Sequence, residues 1–173
     1  MKTTRKGFTL IELIVVIAII GVLAAILVPS MLGYVKKSKV SSANSAANSL
    51  QKAINTALVE LDEESQEAGG VQKIACAAKS TACTFTPNAS NGYTYNGTEF
   101  KSKVDNYMEK AKNKAWNAEC VGGVCVAAAI QIDDTYTGAA PGGVVTVDNY
   151  TKYSKSAANA CASAKSVYDK SIT

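Results

Sequence analysis

The chain has 173 residues, 18 Lys and Arg against 14 Asp and Glu, and no histidine. Length fits one ordinary domain plus an appendage, and so small an excess of cation does not argue for nucleic acid as a bulk partner. Without histidine the commonest general base and the commonest metal ligand are both missing, and nothing in the chain points to an enzyme or a cofactor.

Charge is distributed unevenly from the start. Lys2, Arg5 and Lys6 lead into Gly7-Phe8-Thr9-Leu10-Ile11-Glu12, after which residues 13–35 carry no charge at all. A helix needs about 20 apolar residues to cross a bilayer core, so this stretch is long enough to span. It is also longer than the core of a secretory signal peptide. A plain signal anchor would fit these features as well. Three lysines, Lys36, Lys37 and Lys39, balance the three N-terminal cations, so flanking charge does not set an orientation. Glu12 is the odd residue, since a carboxylate at the edge of a membrane helix is costly and implies a definite partner.

The run Lys6-Gly7-Phe8-Thr9-Leu10-Ile11-Glu12-Leu13 resembles the leader and cleavage site of type IV prepilins, a likeness that extends to about Tyr34. The resemblance implies removal of residues 1–7 by a membrane-embedded prepilin peptidase that cuts between Gly7 and Phe8. It also implies N-methylation of Phe8 and passage of residues 8–35 from the membrane into the core of a helical filament. A leader in the cytoplasm, a head outside it, a cytoplasmic assembly ATPase and an inner-membrane platform follow from the same likeness. Glu12 lies one helical turn beyond the new amino terminus, and an acid there faces the positive end of the helix dipole. In a stack of such helices Glu12 of one subunit can meet the Phe8 amine of the next and so set the register. Pro29 removes a backbone hydrogen bond and predicts a kink in the turn from Ala25; Gly21 weakens the helix. Both positions match the family, in which the stretch between them can lose helicity on assembly.

Beyond the apolar run, Ala43, Ala46, Ala47, Leu50, Ala53, Ile54, Ala57, Leu58 and Leu61 recur at helical spacing. They predict an amphipathic continuation of the same helix over residues 36–68, with Gly69-Gly70 as its stop. A helix from residue 8 to about residue 67 would be about 90 Å long, giving a lollipop with a bare stalk and a head over residues 71–173. Loss of the leader takes three of the 18 cations and leaves 15, all lysine, against 14 acids.

Within the head, residues 83–86 and 93–95 read as short strands around turns at Pro87-Asn88 and Asn91-Gly92. Phe100, Val104, Tyr107, Met108, Ala111 and Ala115 predict a second helix. Residues 116–132 read as a hairpin about Gly122-Gly123, with alternation continuing through Val124, Val126, Ala128, Ile130 and Ile132. A strand over residues 144–147 follows a Gly-Pro-rich loop at 138–143, and Ala157, Cys161, Ala164 and Tyr168 predict a short final helix. The class is α+β, with helices on one face of a mostly antiparallel sheet, which is also what the resemblance implies.

Five cysteines occupy this head. In a tight hairpin Cys120 and Cys125 oppose each other at a rung close enough for a disulfide. Cys76–Cys83 is favoured by proximity alone, which leaves Cys161 free. Cross-links suit an extracytoplasmic head; metal binding lacks histidine and paired C-x-x-C spacing. Asp133, Asp134 and Asp148 lack the spacing of a calcium loop and read as solvated turns. Lys101, Lys103, Lys110, Lys112 and Lys114 read as an exposed helix face rather than a DNA contact, and Trp116 and the tyrosines as packing.

The expected function is a structural subunit of a type IV pilus, a homopolymer with no catalytic residue. A pseudopilin of a type II secretion or DNA-uptake pseudopilus shares the same N-terminus and stays open as the alternative. A membrane-anchored binding protein that never polymerises is the third reading. Before assembly the partner would be membrane lipid; the head could carry a surface or DNA ligand.

Overall fold

The computed structural model describes residues 7–64, 67–90 and 92–173. The basic leader residues Lys2, Arg5 and Lys6, and Asn91 of the expected turn, lie outside them. The chain divides into two compact units between Lys36 and Lys37.

Helix α1 (Leu10–Glu63) runs on through Gly21 and Pro29. In the first unit every described residue is exposed, and α1 is long and apolar enough there to cross a membrane. The side chains that would normally drive burial, among them Ile11, Ile14, Ile20 and Leu27, all stand in the open. A surface apolar on all sides does not remain in water.

In the second unit the expected stripe is buried: Ala43, Ala47, Leu50, Ala53, Ile54, Ala57, Leu58 and Leu61 face the core, with Ala46 packed half-buried beside them. The helix ends at Glu63, short of Gly69-Gly70, and Asp62 then accepts a hydrogen bond from the Ala68 amide at 2.6 Å. The two glycines belong to a 3-10 turn, Ala68–Gly70.

A five-stranded antiparallel sheet follows. Its strands are β1 (Lys73–Cys76), β2 (Thr84–Thr86), β5 (Trp116–Val121), β6 (Val124–Gln131) and β7 (Thr137–Ala140), in the order β2-β1-β5-β6-β7. A separate ribbon pairs β3 (Ala89–Ser90) with β4 (Tyr93–Thr94). The β5–β6 hairpin turns at Gly122 and Gly123, both at positive φ (57° and 79°), where a side chain would be strained. Helix α2 (Gly97–Tyr107) is capped by the Asn96 side chain, which accepts from the Thr98 and Glu99 amides. Helix α3 (Ala157–Ser171) is capped by Ser156.

Four expectations for the head are corrected. Strand β1 leaves no mark in the sequence pattern, because Lys73–Cys76 is short and unmarked by turn residues, yet it pairs on both sides. The second helix ends at Tyr107, so Met108, Ala111 and Ala115 lie beyond it, with a 3-10 turn at Glu109–Ala111. Residues 138–143, expected as a loop, contribute most of β7 (Thr137–Ala140), whereas residues 144–147 are not a strand. There Asn149 holds a loop, accepting from the Thr146 amide and donating to the Val144 carbonyl. Gly138 permits β7: a Cβ there would lie 1.8 Å from the Ala43 carbonyl oxygen of α1.

The helices also occupy both faces of the sheet rather than one. Along β6, Ala128 and Ile130 join the core formed with α1 and α2, while Ala127 and Ala129 join a second core with Ala157, Ala160, Cys161 and Ala164 of α3. Successive strand residues point to opposite faces, so β6 reads as buried almost throughout. The architecture is α+β, a long N-terminal helix packed with an antiparallel sheet.

Candidate functional site

The site begins where the chain changes from leader to helix. Phe8 is 86% exposed. Thr9 precedes the first helical residue, and its backbone N–H and hydroxyl both donate to Oε2 of Glu12, at 2.8 and 2.7 Å. In return the Glu12 amide donates to Thr9 Oγ1 at 3.3 Å. This is a capping box, in which a threonine at the N-cap and a glutamate three residues on satisfy each other's orphan donors. The charge of Glu12 points to one role, and the pattern Thr-x-x-Glu before an apolar run points to the second. Only Oε2 is engaged, and Oε1 accepts no bond among the described residues, so the carboxylate can cap its own helix and still take a donor from elsewhere. Gly21 and Pro29 lie within α1 on exposed turns, with open space around the Cα of Gly21.

The five cysteines are buried thiols in this structure. Cys120 and Cys125 are register partners in the β5–β6 hairpin, and Val121 and Val124 pair beside the turn. Cys76 and Cys83 lie against each other across the turn from β1 to β2: the Cys83 thiol donates to the Cys76 sulfur, which holds Cys76 below the ordinary thiol range and pushes Cys83 above it. Cys161 on α3 sits in the second core, its thiol 3.6 Å from the Ala127 carbonyl that also receives the Cys125 thiol at 3.3 Å. Burial pushes the Cys161 thiol up to about 12.

The five lysines expected on one exposed face are not there. Lys101 is buried and bonded to Asp105 at 2.6 Å. Lys103 sits among Glu60, Glu64 and Glu99, and Lys114 donates to the Ile132 carbonyl at 2.6 Å. Lys110, Lys112 and Lys114 lie past the end of α2, so a single helical stripe never forms. Asp133 closes its own turn by accepting from the Thr135 and Tyr136 amides, and Asp134 pairs with Lys155 at 3.4 Å. Among the described residues no three His, Cys, Asp or Glu side chains converge on a metal position. Trp116 is fully buried in the core.

Residues 2–28 match the family pattern described as the prokaryotic N-terminal methylation motif. The type IV major fimbrial protein FimA of Dichelobacter nodosus is 48% identical over 60 residues, 35% of this chain and 38% of its own. The fimbrial protein EcpC of Eikenella corrodens is 49% identical over 55 residues, 32% of this chain and 36% of its own. The chain thus spans under two fifths of the length of these relatives. A fimbrial protein of Moraxella nonliquefaciens is 37% identical over 111 residues, 58% of this chain and 72% of its own. The chain belongs to the type IV pilin family. In this pilin the methylation motif covers Gly7, Phe8, Glu12 and Gly21 and stops one residue short of Pro29. No solved structure matches the chain.

Proposed function

We propose that this pilin is the structural subunit of a type IV pilus. The observation that carries the reading is the unbroken exposure of residues 7–36 around an apolar helix: such a surface requires lipid before assembly and copies of itself afterwards. The precursor sits in the cytoplasmic membrane with its leader on the cytoplasmic side and its head outside. A prepilin peptidase cuts between Gly7 and Phe8, Phe8 is N-methylated, and an assembly ATPase and membrane platform deliver the subunit to a surface filament. Residues 8–35 make the filament core, residues 36–68 hold the head, and residues 71–173 form its surface.

Glu12 then works twice. Its Oε2 keeps the capping box with Thr9, and its open Oε1 takes the Phe8 amine of the neighbouring subunit, an ion pair whose loss would leave a charge uncompensated among apolar helices. Gly21 and Pro29 allow the helix between them to loosen during packing. In the oxidising space outside the membrane Cys120–Cys125 and Cys76–Cys83 close as disulfides and Cys161 stays a thiol.

The test is the intact mass of the protein in material sheared from cells, with and without reduction. A chain beginning at methylated Phe8, gaining about four mass units on reduction, two per bridge, is the expected result. Glu12→Ala should abolish filaments while leaving the protein in the membrane. A processed chain found only in membranes would favour a pseudopilin. Retention of residues 1–7 in the functional pool, or filaments that survive Glu12→Ala, would sink the pilus-subunit reading.

A further inference from the structure

A cleft of about 350 Å³ opens between α2, the turn joining β1 to β2 and the segment after α2, and every residue lining it is polar. Its floor is a buried ion pair. The Lys101 side chain is 3% exposed, and its ammonium donates to Asp105 Oδ2 at 2.6 Å and to the Lys112 carbonyl at 3.1 Å. The third ammonium proton has no partner among the described residues. Asp105 Oδ1 is buried and accepts no hydrogen bond there either. A buried pair contributes little net stability compared with well-packed apolar residues, and an orphaned acceptor beneath a polar cleft calls for a donor.

The rim supplies the complementary charge. Lys79 and Lys112 are both exposed, and neither joins an ion pair among the described residues. With Lys101 they outnumber the single carboxylate, Asp105, so the lining is net positive. The side-chain amides of Asn106 and Asn113 complete it. Two free ammonium groups recognise an anion. The amides and the orphaned carboxylate oxygen recognise hydroxyls. No aromatic ring lines the cleft, so a sugar there would be held by charge and hydrogen bonds rather than by stacking, which favours an acidic sugar over a neutral one. The volume sits at the lower end for small-molecule sites, which begin at about 300 Å³, and admits one ring.

From this we infer that the head carries a binding site for an acidic monosaccharide unit. The sugar carboxylate lies between Lys79 and Lys112, and the ring hydroxyls face Asn106, Asn113 and, after a small turn of its carboxylate, Asp105. The unit could be a free sugar acid or one residue of an acidic polysaccharide, and probe length separates the two. Every residue of the site belongs to the second unit, and the site does not depend on the chain polymerising.

The experiment is saturation-transfer NMR on the full-length protein in detergent micelles, with galacturonate, tetragalacturonate, glucose and inorganic phosphate as probes. Saturable binding of galacturonate at millimolar concentration is expected, with glucose silent and phosphate at least tenfold weaker. Lys79→Gln combined with Lys112→Gln, both on the exposed rim, should weaken galacturonate at least tenfold while the circular dichroism spectrum stays unchanged. Asp105→Asn should lower the preference for galacturonate over phosphate. Tighter binding of tetragalacturonate would support the polysaccharide source, and equal affinity the free acid. Phosphate binding as tightly as galacturonate would reduce the cleft to a general anion patch. No saturable galacturonate signal, or full retention of it in the double variant, would overturn the site.

Discussion

Glu12 and Gly138 are decided by single atoms. For Glu12 the atom is Oε1, left open while Oε2 closes the capping box with Thr9. N-caps of this kind contribute about 1 kcal/mol, so Thr9→Ala should fray the first turn and increase amide exchange at residues 10–13 in the full-length protein, with a smaller loss of filaments than Glu12→Ala produces. For Gly138 it is the missing Cβ, which would stand 1.8 Å from the backbone of α1. A clash with backbone cannot be relieved by rotating a side chain, and the Asn44 side chain ties the same segments by accepting from the Ala139 amide and donating to the Val145 carbonyl. Gly138→Ala should therefore destabilise the head by about 1–3 kcal/mol, read as a lower urea midpoint with unchanged slope. A neutral result would mean that β7 moves freely against α1. The motif around Gly7, Phe8 and Glu12 was legible in the sequence because position and residue type coincide there. The need for Gly138 was not, because its close neighbour lies almost a hundred residues away.

Between elements, α1 and α2 are joined by a charged clamp. Glu60 accepts a hydrogen bond from the Tyr107 hydroxyl and pairs with Lys103 at 3.2 Å, and Lys103 also meets Glu64 at 2.7 Å. The bond from Tyr107, then that from Lys103, hold the Glu60 carboxyl below its ordinary value of 4.5; the bond to Glu60 holds the Tyr107 phenol above its own, and the bonds to Glu64, then Glu60, hold the Lys103 ammonium above its own. A depressed carboxyl contributes stability that is present above its unfolded value and lost as pH falls through the folded one. A raised phenol or ammonium contributes below its unfolded value, 10.0 or 10.5, and loses that contribution as pH rises through the folded one. The clamp should therefore weaken below about pH 4.5 and again above about pH 10. Urea titrations across pH should show Glu60→Gln flattening the acid side and Tyr107→Phe part of the alkaline side; unchanged profiles in both variants would show the clamp to be energetically idle. The sequence suggested the second helix but not the clamp, because helical spacing locates a face without saying what opposes it. Lys101 shows the same limit: it reads as one more surface lysine, yet the turn at Lys112 folds over it.

At the level of the whole molecule, the two units have opposite needs. The second holds two apolar cores of its own, one on each face of the sheet, while the described residues of the first bury nothing. Residues 37–173 expressed alone should be soluble and unfold in one cooperative transition by circular dichroism, whereas the full chain should require detergent. Aggregation of that fragment without detergent would show that the apolar helix is needed for the head to fold.

The sequence by itself determined the N-terminal methylation motif, the membrane-length apolar helix, its amphipathic continuation and the Gly122-Gly123 hairpin with Cys120 opposite Cys125. Each of these rests on neighbours close along the chain, where residue type and spacing carry the physics. Only the tertiary structure decided that β6 is covered on both sides, that β7 replaces an expected loop, and that β1 lies at the centre of the pairing between β2 and β5. In Val124–Gln131 the run reads as alternating only if one face meets solvent. Once α3 packs its alanines on the other face, Ala127 and Ala129 are as buried as Ala128 and Ile130, and that choice belongs to residues about thirty positions further along the chain.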